Sequence, residues 1–181
     1  MRLTKIYTRQ GDGGTTRLAT GEKVLKSEPL IACVGTADHC NSVLGWASRE
    51  MGAELTQQAL KIQHWLFDIG GELALEGYTA ITANMSQLAE TWIDNMNAEL
   101  KPLEEFILPG GCESAARTQM FRSEIRQFER ELVALSQTLE VNPETLKLVN
   151  RLSDWAFVAA RFCNLENGVD EPYWQPSAKN T

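Results

Sequence analysis

From Pro29 onward, apolar residues recur at three- to four-residue spacing through segments of about twenty residues, and no stretch alternates long enough to make a paired strand. A chain with that pattern has to bury its apolar stripes helix against helix. The first segment carries Leu30, Ile31, Val34, Ala37, Val43, Leu44, Trp46 and Ala47 and reads as a helix over 29–51. The second, TQQALKIQHWLFDIGGELAL, places Leu60, Ile62, Trp65, Leu66, Ile69 and Leu73 inward, and its Gly70-Gly71 pair points to a close approach by a neighbour. Residues 76–84 read as a loop, and SQLAETWIDNMNAEL as a shorter helix with Ser86 as its N-cap. FILPGG (Phe106–Gly111) excludes regular structure. A long helix follows over Glu113–Leu139, with Met120, Phe121, Ile125, Phe128, Leu132 and Leu135 apolar. Asn142 and Pro143 open the last helix, which turns Leu146, Val149, Leu152, Trp155, Val158, Ala159 and Phe162 inward. The expected fold is all-α: a bundle of four long antiparallel helices plus one shorter helix in a connection, preceded by a glycine-rich N-terminal arm. With 181 residues it reads as a single domain, divided into an arm (1–28), a helical bundle (29–165) and a Pro-, Asn- and Gly-rich tail (166–181).

The arm is KIYTRQGDGGTTR, Lys5 to Arg17. It crowds Gly11, Gly13 and Gly14 together with Thr8, Thr15, Thr16, Asp12, Lys5, Arg9 and Arg17. Two readings are open for such a stretch: a glycine-rich turn at a terminus, or a phosphate cradle in which backbone N–H groups, hydroxyls and cations converge on an anion. It is neither a Walker loop, lacking the Gly-Lys-Ser/Thr, nor a dinucleotide fingerprint, lacking a preceding apolar strand.

On the helix over 113–139, Arg122, Arg126 and Glu129 fall at i, i+4 and i+7 and share a face, with Arg130 beside them. Two arginines a turn apart repel unless carboxylates or an anion lie between them, and guanidinium forks suit phosphate. A solvated face of helix salt bridges is the competing reading. On the last helix Asn150, Asp154 and Arg161 form a polar seam, and on the first Asp38 and Asn41 interrupt the apolar pattern. Buried polar groups need partners, and the arginines of the fourth helix are the expected ones. A purely structural salt-bridge network would use the same residues.

Composition narrows the class. A net charge of −7 speaks against nonspecific nucleic-acid binding, which needs a basic surface. No apolar run approaches the ~18 residues that span a bilayer. MRLTKIYTRQ carries no signal-peptide core, so a cytoplasmic protein without a membrane partner is expected. Cys33, Cys40, Cys112 and Cys163 form no CxxC pair, and His39 and His64 are the only histidines, so free thiols are expected and no protein-held metal.

In order and spacing, KIYTRQGDGGTT, GTADHCNS, FDIGGELA, FILPGG, RSEIRQFER and VNRLSDWAFVAAR resemble the ATP:cob(I)alamin adenosyltransferases of the propanediol-utilisation type over nearly the whole chain. The resemblance implies a five-helix bundle that forms a homotrimer with active sites between subunits. ATP with Mg²⁺ would be held by Thr8, Arg9, Gln10, Gly11, Thr16, Arg17 and Lys26, completed by Arg126, Glu129, Arg130 and Asn150. Arg122 and Asp38 would pair at the cobalamin-facing end. Phe106 would lie against the lower face of the corrin and displace its nucleotide-loop base, easing reduction of Co(II) by an electron from a separate reductase. Cob(I)alamin would then attack the 5′ carbon of ATP and expel triphosphate, without a general base.

Several positions depart from the pattern of that family. Gln127 stands where a second arginine is frequent, Phe128 where alanine is, and Gly13 where a lysine is common; His39 and Cys40 replace acidic and apolar neighbours of Asp38, and no lysine lies between Lys61 and Lys101. These changes lower the local positive charge. The alternative they leave open is a diverged, non-catalytic protein that binds nucleotide or cobalamin as a sensor or carrier.

Overall fold

The computed structural model describes residues 7–177; Lys5 of the arm and the last four residues of the tail lie outside the described residues. Five α-helices are present among them: α1 (Pro29–Ala47), α2 (Ala53–Ala74), α3 (Ala83–Glu99), α4 (Glu113–Leu135) and α5 (Pro143–Glu166). The arm adds what its composition does not announce, a short antiparallel hairpin of β1 (Thr15–Arg17) and β2 (Lys23–Leu25), with Thr16 opposite Val24.

Side-chain contacts fix the helix directions. Thr36 donates to Glu131 at 2.6 Å and His39 lies 3.5 Å from Glu124, so α1 and α4 are antiparallel. Asn150 reaches Glu129 and Trp155 reaches Phe121, so α4 and α5 are antiparallel too. Asn142, Arg151 and Arg161 bond to Ile81, Glu90 and Lys101 in turn, so α3 lies beside α5 and parallel to it. The shortest helix is therefore a packed member of the bundle as well as a connection. It gains that place because the long segment 100–112 lets the chain cross before α4 descends.

The core is built where the apolar stripes meet. Trp155 and Phe121 are fully buried and pack edge to face, and the indole N–H of Trp155 donates to buried Gln58 at 2.8 Å. Trp65 of α2 stacks on Trp92 of α3 with centroids 5.5 Å apart. Cys33, Cys40 and Cys163 are buried free thiols; burial above all pushes Cys40 up to about 12 and the other two to about 11.

Several expectations are corrected. α1 stops at Ala47 and a 3-10 turn (Ser48–Glu50) follows, because Thr56 accepts the role of donor to the carbonyls of Ser48, Met51 and Gly52 and folds the chain back. α3 begins at Ala83 with Thr82 as flanking residue; Ser86 lies inside it, buried, its hydroxyl without a partner among the described residues. α4 ends at Leu135 rather than Leu139. Trp46, Leu60 and Met120, expected inside, are each about half exposed; Trp46 is covered instead by the Arg117 guanidinium 4.5 Å above its ring. At Gly71 an added Cβ would meet Tyr78 of the following loop at 3.1 Å, whereas Gly70 faces open space. The N-cap of α5 is as expected, Asn142 accepting from the Glu144 N–H at 3.0 Å.

The two ends of the bundle differ. The hairpin lies at the end where α1 and α5 begin and α2 and α4 finish. There it borders a cavity of about 740 Å³ ringed by Glu22, Glu28, Glu72, Glu76 and Glu140, with no lysine or arginine in its wall. The Phe106 segment and the tail occupy the opposite end.

Candidate active site

The strongest electrostatic feature is on α4. Arg122 donates through Nε to the neutral amide of Gln119 at 2.7 Å, and Arg126 has no hydrogen bond or ion pair among the described residues. Burial first, and then the like charge of Arg126, lower the pKa of Arg122 from its usual value. The two guanidiniums thus face each other's repulsion with no carboxylate between them. A helical rise of 1.5 Å per residue spreads Arg122 to Arg130 over ~12 Å, the scale of a nucleoside triphosphate chain. The large acidic cavity beneath the hairpin has the wrong sign for such a ligand.

Beyond Arg126 the face is organised by hydrogen bonds. Asn150 of α5 donates to Glu129 at 2.8 Å, tying two expected site residues across the helices. Arg130 donates to Gln127, which itself donates to Glu131 at 2.9 Å; Glu131 also accepts from Thr36. The expected pairing of polar groups on α1 and α5 with the α4 arginines is not what the chain makes. Asn41 exchanges bonds with Gln63, Asp154 pairs with Arg151, and Arg161 pairs with Glu171. Asp38 is exposed and has no partner among the described residues, so the Arg122–Asp38 pair is not formed within one chain.

In the arm, backbone bonds from Gly14 to Gly11 and from Lys26 to Gly14 close the glycine loop, and the Lys26 ammonium lies where a Cβ on Gly11 would meet it at 3.0 Å. Lys26 and Gly11, far apart in sequence, are thereby brought together. Arg9 sits at φ 61°, a left-handed backbone that non-glycine residues seldom adopt, with its guanidinium 5.7 Å from the Tyr7 ring. Arg17 donates to the Gly21 carbonyl at 2.9 Å. Thr8 and Gln10 are exposed and Thr16 is half-buried in β1. Among the described residues, no hydrogen bond or ion pair from Thr8–Glu28 reaches α4 or α5.

Phe106 is 77% exposed at the other end, yet firmly framed. Its carbonyl accepts from Trp174 N–H, Leu108 N–H donates to the Pro172 carbonyl, both at 2.7 Å, and Ile107 bridges Tyr173. The Phe106 and Trp174 rings meet edge to face at 6.1 Å. Phe106, Leu108, Tyr173 and Trp174 make an exposed apolar surface, and a cleft of about 270 Å³ runs from Pro109 and Gly110 to Gln119, Met120 and Arg122. Sequence reasoning missed the tail's part in this. The signal was there in Tyr173-Trp174, two large aromatics inside an otherwise polar segment.

Together these features give a helical bundle with an arginine-rich face on α4 and a separate exposed apolar, aromatic loop. Residues 6–163 match the family model described as Cobalamin adenosyltransferase, and the chain belongs to that family. It is 41% identical over 176 residues to the Cobalamin adenosyltransferase of Cupriavidus metallidurans, covering 96% of each chain. It is 38% identical over 183 residues to the Corrinoid adenosyltransferase of Bacillus subtilis, covering 96% of this chain and 94% of that one. Among solved structures, a variant PduO-type ATP:corrinoid adenosyltransferase from Lactobacillus reuteri, complexed with cobalamin and ATP, superposes with a TM-score of 0.91 at 30% identity, covering 94% of this chain and 97% of that one.

Proposed function

We propose that the cationic face of α4 and the Phe106 loop are the two halves of one adenosyl-transfer site. The activity is that of an ATP:corrinoid adenosyltransferase, moving the 5′-deoxyadenosyl group of ATP onto the cobalt of a reduced corrinoid. The observation that carries the site assignment is the Arg122–Arg126 pair, two like charges a turn apart on α4, Arg122 half-buried and Arg126 exposed, with neither bonded to a carboxylate among the described residues. A bound triphosphate relieves that repulsion, and its charge grows as it leaves.

The lone pair of Co(I) attacks the 5′ carbon, the C5′–O bond breaks, and triphosphate departs with the bonding electrons. No proton moves, so no general base is required. Catalysis is positioning and charge stabilisation, which Arg126, Arg130, Lys26 and the arm's N–H groups supply. Glu129 and Asn150 orient one another and the sugar end of the nucleotide. Mg²⁺ would arrive on the phosphate oxygens; no cluster of three or more His, Cys, Asp or Glu able to hold a metal occurs among the described residues. Phe106 takes the lower axial face of the corrin, and Arg122 of one chain with Asp38 of a neighbouring copy closes the corrin-facing end.

The proposed site lies between subunits of a homotrimer, the arm of one chain meeting α4 of another; that, among the described residues, no hydrogen bond or ion pair from Thr8–Glu28 reaches α4 or α5 supports this reading. The electron that generates Co(I) comes from a separate reductase in the cytoplasm. No helix among the described residues is long and apolar enough to cross a membrane.

The test is an anaerobic assay with chemically reduced cob(I)alamin, ATP and Mg²⁺, following loss of the Co(I) absorption band. Wild-type protein is expected to turn over, and Arg126→Ala to lose about ten- to a hundredfold in kcat/KM for ATP, as expected for a charge-assisted contact of 1.5–3 kcal/mol. Unchanged ATP dependence in that variant removes α4 from the site. No turnover at all, with ATP at a hundred times its Kd still adding about 2.7 kcal/mol of stability, would mark a binding protein instead.

A further inference from the structure

Two polar side chains on α5, Arg161 and Asn164, are almost fully buried and touch neither the arginine face nor the arm. Arg161 sends Nε and Nη2 to the two carboxylate oxygens of Glu171 at 2.8 and 3.1 Å, and Nη2 also to the Lys101 carbonyl at 2.9 Å. One turn on, Asn164 accepts from Cys112 N–H at 2.9 Å, its amide reaches the Gly110 carbonyl at 3.4 Å, and its own carbonyl accepts from Val169 N–H at 2.9 Å. Gly111 sits at φ 106°, and a Cβ there would fall 2.0 Å from the Asn164 oxygen, so only glycine lets the loop lie this close.

The pattern is directional. Phe106 lies midway between Lys101 and Cys112, the two ends of its segment that α5 grips. The tail segment it pairs with, residues 172–174, begins next to Glu171, which α5 grips as well. The Arg161 fork therefore holds both the segment that carries Phe106 and the tail segment that braces it.

We infer that Arg161 and Glu171 are positioning residues for the corrin step: their buried ion pair fixes the height and tilt of the exposed Phe106 ring, through the tail, so that it can take the axial face of the corrin. The inference rests on the proposed role of Phe106. A fork is needed because a single ammonium cannot satisfy both carboxylate oxygens and the Lys101 carbonyl in one plane. A ring displaced by ~1 Å loses the close fit that excludes an axial base, and such misplacements cost about a hundredfold in well-positioned sites.

The experiment mixes cob(II)alamin, ATP and Mg²⁺ anaerobically and reads the electron paramagnetic resonance and magnetic circular dichroism signals of Co(II) lacking axial ligands. It uses wild type, Phe106→Ala, Arg161→Lys and Glu171→Gln, with melting temperatures recorded for each. Glu171→Gln, made in the tail outside the helical core, keeps the test open if Arg161→Lys fails to fold. The expected result is loss of at least about tenfold of the ligand-free Co(II) signal in both clamp variants, with a matching fall in kcat on cob(II)alamin and a reductant, and KM for ATP within about twofold of wild type. A full signal in folded Glu171→Gln, beside a lost signal in Phe106→Ala, overturns the clamp and leaves the role of Phe106 standing. A full signal in Phe106→Ala overturns both, and does so through the Phe106 arm alone.

Discussion

In the proposed triphosphate site, Arg126 and Gln127 show how one residue can set the strength with which an anion is held. Arg126 has no partner among the described residues, whereas Arg130, a turn later, has its guanidinium engaged by the Gln127 side-chain oxygen, and Gln127 in turn occupies Glu131. Beyond Arg122, which Gln119 engages, the face consequently has one free fork, Arg126, and one engaged fork, Arg130. Gln127→Arg removes the acceptor that engages Arg130 and adds a cation one residue from Arg126, with Glu131 within reach to keep the new side chain oriented. KM for ATP is expected to fall about three- to tenfold in that variant, on the scale of 0.6–1.4 kcal/mol for a partly exposed charge, and the gain should shrink as ionic strength rises. A steady-state titration of ATP at two salt concentrations checks both parts. An unchanged KM would mean that position 127 does not sense the triphosphate.

At the scale of the element, the junction between the Phe106 loop and α4 is the most demanding piece of backbone in the bundle. Gly111→Ala meets both a positive φ and the buried Asn164 amide, so it should cost the strain of a disfavoured backbone, about 1–3 kcal/mol, and a further 1–3 kcal/mol if the Asn164 bonds break. Gly13→Ala, with open space around its Cβ, is the control and should stay within about 0.5 kcal/mol. Thermal melts compare the two; equal melting temperatures would show that the loop yields without strain. Elements of this kind were only partly legible from sequence. The helices were, because each buries a stripe that repeats with the helical period, and so was the Asn142-Pro143 start of α5, whose cap is made by neighbours in sequence. Ser86 misled for the same reason: its preference for a cap is local, while the start of α3 is set a turn earlier by the loop that Glu72 holds through the N–H groups of Ala80 and Ile81. The arginine face was legible because its members share one helix. The partners of Asn41 and Arg161 were not, since Gln63 and Glu171 lie on segments that only the fold brings near; Asp154 pairs with Arg151 one turn away on α5, where the sequence already placed it.

For the whole molecule, the proposed site needs both the arm and the α4 face, and among the described residues no hydrogen bond or ion pair from Thr8–Glu28 joins them. Closed cyclic assembly converts such a separation into a site, because each chain's arm can meet the next chain's helix. The consequence can be measured without a structure of the assembly. Arg9→Ala damages the arm and Arg126→Ala damages the helix; each alone should be nearly inactive with ATP at low concentration. If equal amounts are unfolded together and refolded, random mixing leaves about a quarter of all arm–helix pairings with both halves intact when the halves come from different subunits. When both halves come from one chain, every pairing carries a lesion and nothing is regained. Recovery of about a quarter of wild-type turnover is therefore the expected outcome, and a protein carrying both substitutions, mixed with itself, sets the baseline. Activity that stays at that baseline, although the mixture assembles, would place the arm and the arginine face of a single chain in one site.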